Sequence, residues 1–143
     1  MSALKRINVK VGKCRLSLLN AGPEEGMPVV LLHGIPASAE LWRSIIIKLA
    51  ENNYRLYAPD LPGYDFTRLP ENGDYSVAGA AELITSWLKQ ENIGPVGLVG
   101  HDIGGGIAQI LVVRYPELVK FLTIGDTLVE DSWPVTPDLL QNY

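Results

Sequence analysis

Asp102 stands in the middle of Val96-to-Ile110, VGLVGHDIGGGIAQI, between an apolar run and a run that reads as a helix. A carboxylate at the apex of such a turn has three chemistries open to it. It can cap the following helix by accepting from the amides of Gly104 or Gly105, since Asp is a favoured N-cap. It can belong to a cradle for an anion, with Gly100, Gly104, Gly105 and Gly106 before the helix and Asp126 at a later strand end to hold a ribose. Or it can be a nucleophile projected from a sharp strand-to-helix turn. The cap leaves the glycines unexplained. The cradle lacks the G-x-G-x-x-G spacing and would aim a carboxylate at a pyrophosphate. The symmetric bracket Gly100-x-Asp102-x-Gly104 suits a strained apex whose flanks have no room for a side chain.

The surrounding pattern supplies the elements that would hold such a turn. Alternation over Lys5 to Val11 and Cys14 to Leu19 predicts a hairpin around Gly12-Lys13. Pro28 to Leu32 is a short apolar run ended by His33-Gly34-Ile35-Pro36, which reads as a strand buried on both faces. Leu41, Trp42, Ile45, Ile46 and Leu49 form a helical stripe within Ala39 to Asn52. Tyr54 to Ala58 is the next strand and closes at Asp60-Leu61-Pro62-Gly63. Asp65 to Asp74 has no period and reads as a surface loop. Ser76 is placed to cap a helix through Ala80, Leu83, Ile84, Trp87 and Leu88. Pro95 to Val99, Ile103 to Arg114 and Val119 to Ile124 complete the series as strand, helix and strand.

A hairpin followed by strand-helix units calls for a mostly parallel sheet with helices on both faces. Chemistry in such sheets collects beyond the carboxyl ends of the strands. Three punctuated loops fall there: His33 to Pro36, Asp60 to Gly63, and Gly100 to Gly106. The Ile35-Pro36 bond is a candidate for the cis form, since this loop must redirect the chain tightly.

With 143 residues, 47% of them apolar, one domain with a real core is expected. Asp and Glu number 16 against 12 scattered Lys and Arg, so nucleic acid is not an expected partner. Cys14 is the single cysteine, which excludes an internal disulfide and fits a structural side chain in a reducing compartment. The opening MSALKRINVKVGK lacks a signal-peptide core and no apolar run reaches membrane-spanning length. The expectation is a cytoplasmic protein with a small-molecule substrate, no membrane partner, no cofactor and no metal.

Taken together, HGIP at His33 to Pro36, DLPG at Asp60 to Gly63 and GHDIGG at Gly100 to Gly105 resemble the N-terminal half of an α/β-hydrolase. An aspartate at the elbow is similar to the haloalkane and haloacetate dehalogenases and the epoxide hydrolases. The resemblance implies an incomplete α/β-hydrolase core over residues 1–126 and the start of a cap-like segment over 127–143. It implies Asp102 as nucleophile, with the backbone amides of Ile35 and Ile103 as the oxyanion hole, Pro36 having no N–H to offer. Asp126 falls where some dehalogenases carry the acid that orients a histidine, and elsewhere in the family a structural Asp stands there. His33, Pro36, Tyr64 and Trp133 are implied as substrate-lining residues, although packing alone would also account for Tyr64, Trp42 and Trp133.

The departures from the pattern narrow the substrate. Ile35 and Ile103 occupy the places of the Asn and Trp that hold halide, and Ile103 also replaces the Arg that binds a carboxylate in haloacetate dehalogenases. An apolar floor for an uncharged epoxide or alkyl halide remains. The family's general-base histidine follows the last strand and has no counterpart here, His33 and His101 being the two histidines present. Two functions are therefore carried: a hydrolase seen in part, and a non-catalytic half-domain acting in binding or assembly. In either case Val119 to Ile124 would be an open edge and the Leu41-to-Leu49 helix partly uncovered, so a homo-oligomer or a missing C-terminal half is the expected partner.

Overall fold

The computed structural model describes residues 3–127. Strands β1 (Lys5–Val11) and β2 (Cys14–Ala21) form the antiparallel hairpin, paired from Lys5 opposite Asn20 to Val11 opposite Cys14. They are followed by β3 (Met27–Leu32), β4 (Tyr54–Pro59), β5 (Val96–Asp102) and β6 (Val119–Thr127). The sheet order is β1-β2-β4-β3-β5-β6, with β4, β3, β5 and β6 parallel and β2 joining them antiparallel through β4. This order brings the loops after β3, β4 and β5 to one end of the sheet.

Helix α1 (Arg43–Leu49), flanked by 3-10 turns at Ala39–Trp42 and Ala50–Asn52, covers one face. Helices α2 (Val77–Gln90) and α3 (Ile103–Arg114) cover the other. The two-sided burial of β3 follows from this sandwich: Val30 and Leu32 pack with α2 and α3, while Val29 and Leu31 pack with Trp42 and Ile46. A strand with no solvent face has no polar alternation to show, which is why its sequence is a continuous apolar run. Helix α2 starts where its cap allows: the Gly79 N–H donates to Ser76 Oγ at 3.0 Å, and Ala80, Leu83, Ile84, Trp87 and Leu88 then recur on the core face.

Three segments depart from the sequence expectation. The stripe predicted through Ala39 to Asn52 is only half used, because Trp42 and Ile46 are buried while Leu41 and Ile45 are 47% and 42% exposed. β5 runs on past Val99 to Asp102, and β6 runs past Ile124 to Thr127. Both extensions come from the same pairing: His101 lies opposite Gly125, Asp102 opposite Thr127, and Asp126 is the extra residue of the bulge between them. Glycine and Asp read as a strand end in sequence; here the bulge absorbs them. No helix among the described residues is long and apolar enough to cross a membrane.

Candidate active site

Asp102 has φ +55° and ψ −126°, a conformation that a non-glycine residue adopts at a cost of about 1–3 kcal/mol. Neighbouring glycines let the surroundings hold it there. A Cβ at Gly100 would overlap the Gly104–Gly105 backbone, one at Gly104 the carbonyls of Leu32 and His33, and one at Gly105 the Thr127 side chain. The glycines are therefore accounted for by the close approach of β5, α3, β3 and β6. A Cβ at Gly34 would overlap Asp102 itself, so the loop after β3 presses directly on the elbow.

The Asp102 carboxylate makes no capping bond to α3, which removes the helix-cap reading. Instead its Oδ2 accepts the backbone N–H of Ile35 at 2.8 Å. Ile35 reaches this position in a loop whose Ile35–Pro36 bond is cis. Ile103 is the first residue of α3, so its amide is one of the N-terminal donors that lack an intrahelical acceptor, at the end where the helix presents partial positive charge. On the far side of the elbow the Thr127 hydroxyl donates to the Asp102 carbonyl at 2.7 Å. Asp102 as a residue is half-buried.

The loops around the elbow are tied by buried polar groups. His33 is fully buried, accepts the Leu61 N–H at Nε2 (2.9 Å) and lies 3.0 Å from the Gly34 carbonyl through Nδ1. A carbonyl can only accept, so Nδ1 carries the proton and the ring is neutral. Burial lowers its pKa below the usual 6.5, opposed by the Gly34 carbonyl and by the charges of Asp60 and Asp65. Asp60, also fully buried, accepts from Ala39 N–H at 2.9 Å and pairs with Arg6 Nη1 at 2.5 Å. Arg6 in turn bonds Ser17 Oγ at 3.0 Å and lies 4.8 Å from the Phe66 ring centre. The hairpin thus clamps both the loop after β3 and the loop after β4.

A cleft of about 480 Å³ opens beside the elbow, lined by Ile35 and Ile103, by Leu61 to Tyr64, by Tyr75 to Val77 with Ala80, and by Ile107. Of the residues expected to line a substrate, Tyr64 borders this cleft. His33 is buried beneath the loops, where it holds Leu61, and Pro36 is exposed; neither is among the residues that line the cleft. Asp126 is exposed at the bulge with φ +43°. Trp133 lies outside the described residues. His101 alternates with Gly100 on β5, and since Gly100 faces α3, His101 faces the α1 side, away from the cleft. Its Nδ1 is buried without a hydrogen-bond partner among the described residues. Sequence reasoning missed Arg6 and Thr127. Arg6 is one polar position in an alternating strand and nothing marks it; Thr127 follows only from the register of β6.

A family model described as the alpha/beta hydrolase fold matches residues 27–143. The chain is 32% identical over 124 residues to a haloalkane dehalogenase of Mycolicibacterium paratuberculosis, covering 86% of this chain and 41% of that protein. It is 34% identical to a pimeloyl-[acyl-carrier protein] methyl ester esterase of Aeromonas salmonicida, covering 83% of this chain and 47% of the esterase. The crystal structure of an epoxide hydrolase from Vigna radiata superposes with a TM-score of 0.78 at 30% identity, over 85% of this chain and 39% of the other. The chain spans less than half the length of these relatives.

Proposed function

This chain belongs to the α/β hydrolase fold family, and from that premise we propose that it is the nucleophile-bearing part of a hydrolase that uses Asp102 on an uncharged small organic substrate, an epoxide or alkyl halide. A carboxylate is anionic at neutral pH and needs no base to attack an sp3 carbon. Oδ1 attacks and forms the ester bond while the C–O bond of the epoxide or the C–halogen bond breaks, the electron pair leaving with oxygen or halide. Oδ2, already held by the Ile35 amide, becomes the ester carbonyl oxygen. When water attacks that carbonyl, the negative charge collects on Oδ2, where the Ile35 and Ile103 amides are the donors that stabilise it.

The observation that carries this reading is the 2.8 Å bond from the Ile35 amide to Asp102 Oδ2 at a strained elbow. The apolar side chains of Ile35 and Ile103 support an uncharged substrate, since neither offers a donor to a halide or a carboxylate. Neither histidine is placed to activate water: His33 is locked in the loops and His101 faces the opposite side of the sheet. Asp126 as an orienting acid would have to act from the exposed bulge. Small-molecule turnover therefore needs a base from outside the described residues.

The test is covalent trapping. Incubated with a reactive epoxide, the chain is expected to gain one adduct mass, mapped to Asp102 and absent in Asp102→Ala, without multiple turnover. Sustained turnover by this chain, or an adduct that persists in Asp102→Ala, would overturn the proposal.

A specific observation also favours the assembly reading. Among the described residues β6 is the sheet edge, and Phe121, Leu122 and Ile124 on it are 36–40% exposed. An unpaired apolar edge favours association. Sedimentation is expected to show a self-associating species whose population falls in Ile124→Lys; a monomer in both proteins would remove this reading.

A further inference from the structure

We infer that the cleft beside the elbow is a subsite for an uncharged aryl or branched alkyl arm of the substrate, with Val77 and Ala80 fixing its size and Tyr75 forming its rim. The inference rests on Asp102 being the reacting group. The cleft adjoins the elbow through Ile35, whose amide donates to Asp102, and through Ile103, the residue that follows Asp102. Its volume of about 480 Å³ lies in the range of pockets for small organic ligands.

The chemistry of the walls selects the occupant. Among the described residues, none of the lining side chains carries a formal charge. Several polar groups in the walls are already engaged: Ser76 Oγ receives the Gly79 N–H at 3.0 Å, the Ser76 N–H donates to Asp74 Oδ1 at 2.9 Å, and the Leu61 N–H donates to His33 at 2.9 Å. The Tyr64 N–H donates to the Leu61 carbonyl at 2.9 Å. A charged or strongly polar arm entering here gives up its bonds to water and finds few replacements. A hydrocarbon arm loses nothing of that kind and removes Leu61, Pro62, Val77, Ala80 and Ile107 from water.

The rings set the preferred shape. Tyr64 packs edge-on against His33 at 5.2 Å and 78°, which fixes its plane. Tyr75 is 55% exposed beside Gly63, where a Cβ would come within 3.3 Å of its ring. A planar arm in the cleft has the Tyr64 and Tyr75 rings among its walls, available for the offset or edge-on contacts that aromatic groups favour. Ala80 leaves the volume that a larger residue at this position on α2 would fill.

The experiment compares labelling of Asp102 in the full chain by styrene oxide and by 1,2-epoxypropane, read by intact mass and peptide mapping. The wild type is expected to prefer styrene oxide, and Val77→Phe and Ala80→Phe are each expected to lower the ratio of the two labelling rates about tenfold. Because Ala80 is buried, circular dichroism checks its variant, and the half-buried Val77 carries the test if Ala80→Phe does not fold. A wild type without preference, or a ratio that stays within about twofold in the folded variants, overturns the subsite. Labelling by neither epoxide overturns the nucleophile instead, and the subsite is then judged by toluene alone. Methyl shifts at Val77, Ala80 and Ile107 on adding toluene uphold it; shifts confined to Leu122 and Ile124, or none, overturn it.

Discussion

The loop cluster at the carboxyl ends of β3 and β4 and the separate flanking surfaces of β6 and of the α1 segment solve opposite problems. In the loops, polar groups are buried and bonded: His33 and Asp60 are fully inaccessible, yet between them hold Leu61, Ala39 and Arg6. On the flanking surfaces, apolar groups are exposed: Leu41, Ile45, Ile47, Phe121 and Ile124 lie between 39% and 50% accessible. Buried polar groups are tolerable only when satisfied, so the first region is rigidly specified. Exposed apolar groups impose no geometry, so the second is specified only by what covers it. The elbow is built on the first kind of region.

The largest effect that would break this contrast comes from Asp60. Asp60→Ala leaves the Arg6 guanidinium without its buried partner and the Ala39 amide without an acceptor, and is expected to cost about 3 kcal/mol in urea unfolding. A loss below about 1 kcal/mol would mean that the clamp is solvated and does not fix the loops.

A matched pair of glycine substitutions sharpens it. Gly104→Ala forces a methyl group into the Leu32 and His33 carbonyls, with an expected loss of about 1–3 kcal/mol and of Asp102 labelling. On the edge strand, a Cβ at Gly125 meets nothing within 4 Å among the described residues, so Gly125→Ala is expected to stay within about 0.5 kcal/mol. Equal losses from the two would erase the distinction between elbow and edge.

The smallest effect is a pH dependence carried by His33. Its folded pKa lies below 6.5, so as pH falls the unfolded chain binds the proton first. The stability contributed by the neutral ring is complete above 6.5 and is lost as pH drops below that value toward the folded pKa. Protonation at Nε2 would cost the Leu61 bond. Thermal unfolding is expected to weaken on acidification in this window, and less so in His33→Gln. An identical acid profile in the two proteins would show that the ring is not the titrating group.

Much of the fold was legible in the sequence because its signals are local. Short apolar runs ended by Gly and Pro marked β3, β4 and β5, Ser76 marked the start of α2, and Gly100-x-Asp102-x-Gly104 marked the elbow. Each depends on residues close together in the chain, where backbone sterics and hydrogen bonding act directly. The sequence also offered Asp102 three roles, and the bracket Gly100-x-Asp102-x-Gly104 with the missing G-x-G-x-x-G spacing favoured the nucleophile as an expectation.

Tertiary structure removed one of those roles, the helix cap, and set the contacts of the carboxylate. The Ile35 amide reaches Asp102 across 67 residues, Arg6 reaches Asp60 across 54, and Thr127 seals the elbow only because a bulge sets Asp126 aside. It also left His33 and Pro36 outside the lining of the cleft and exposed half of the α1 stripe. Such outcomes depend on which loops the sheet order β1-β2-β4-β3-β5-β6 brings to one end, and on the register of strands far apart in the chain. Residue types along the chain determine which groups can do chemistry; long-range packing decides which of them meet.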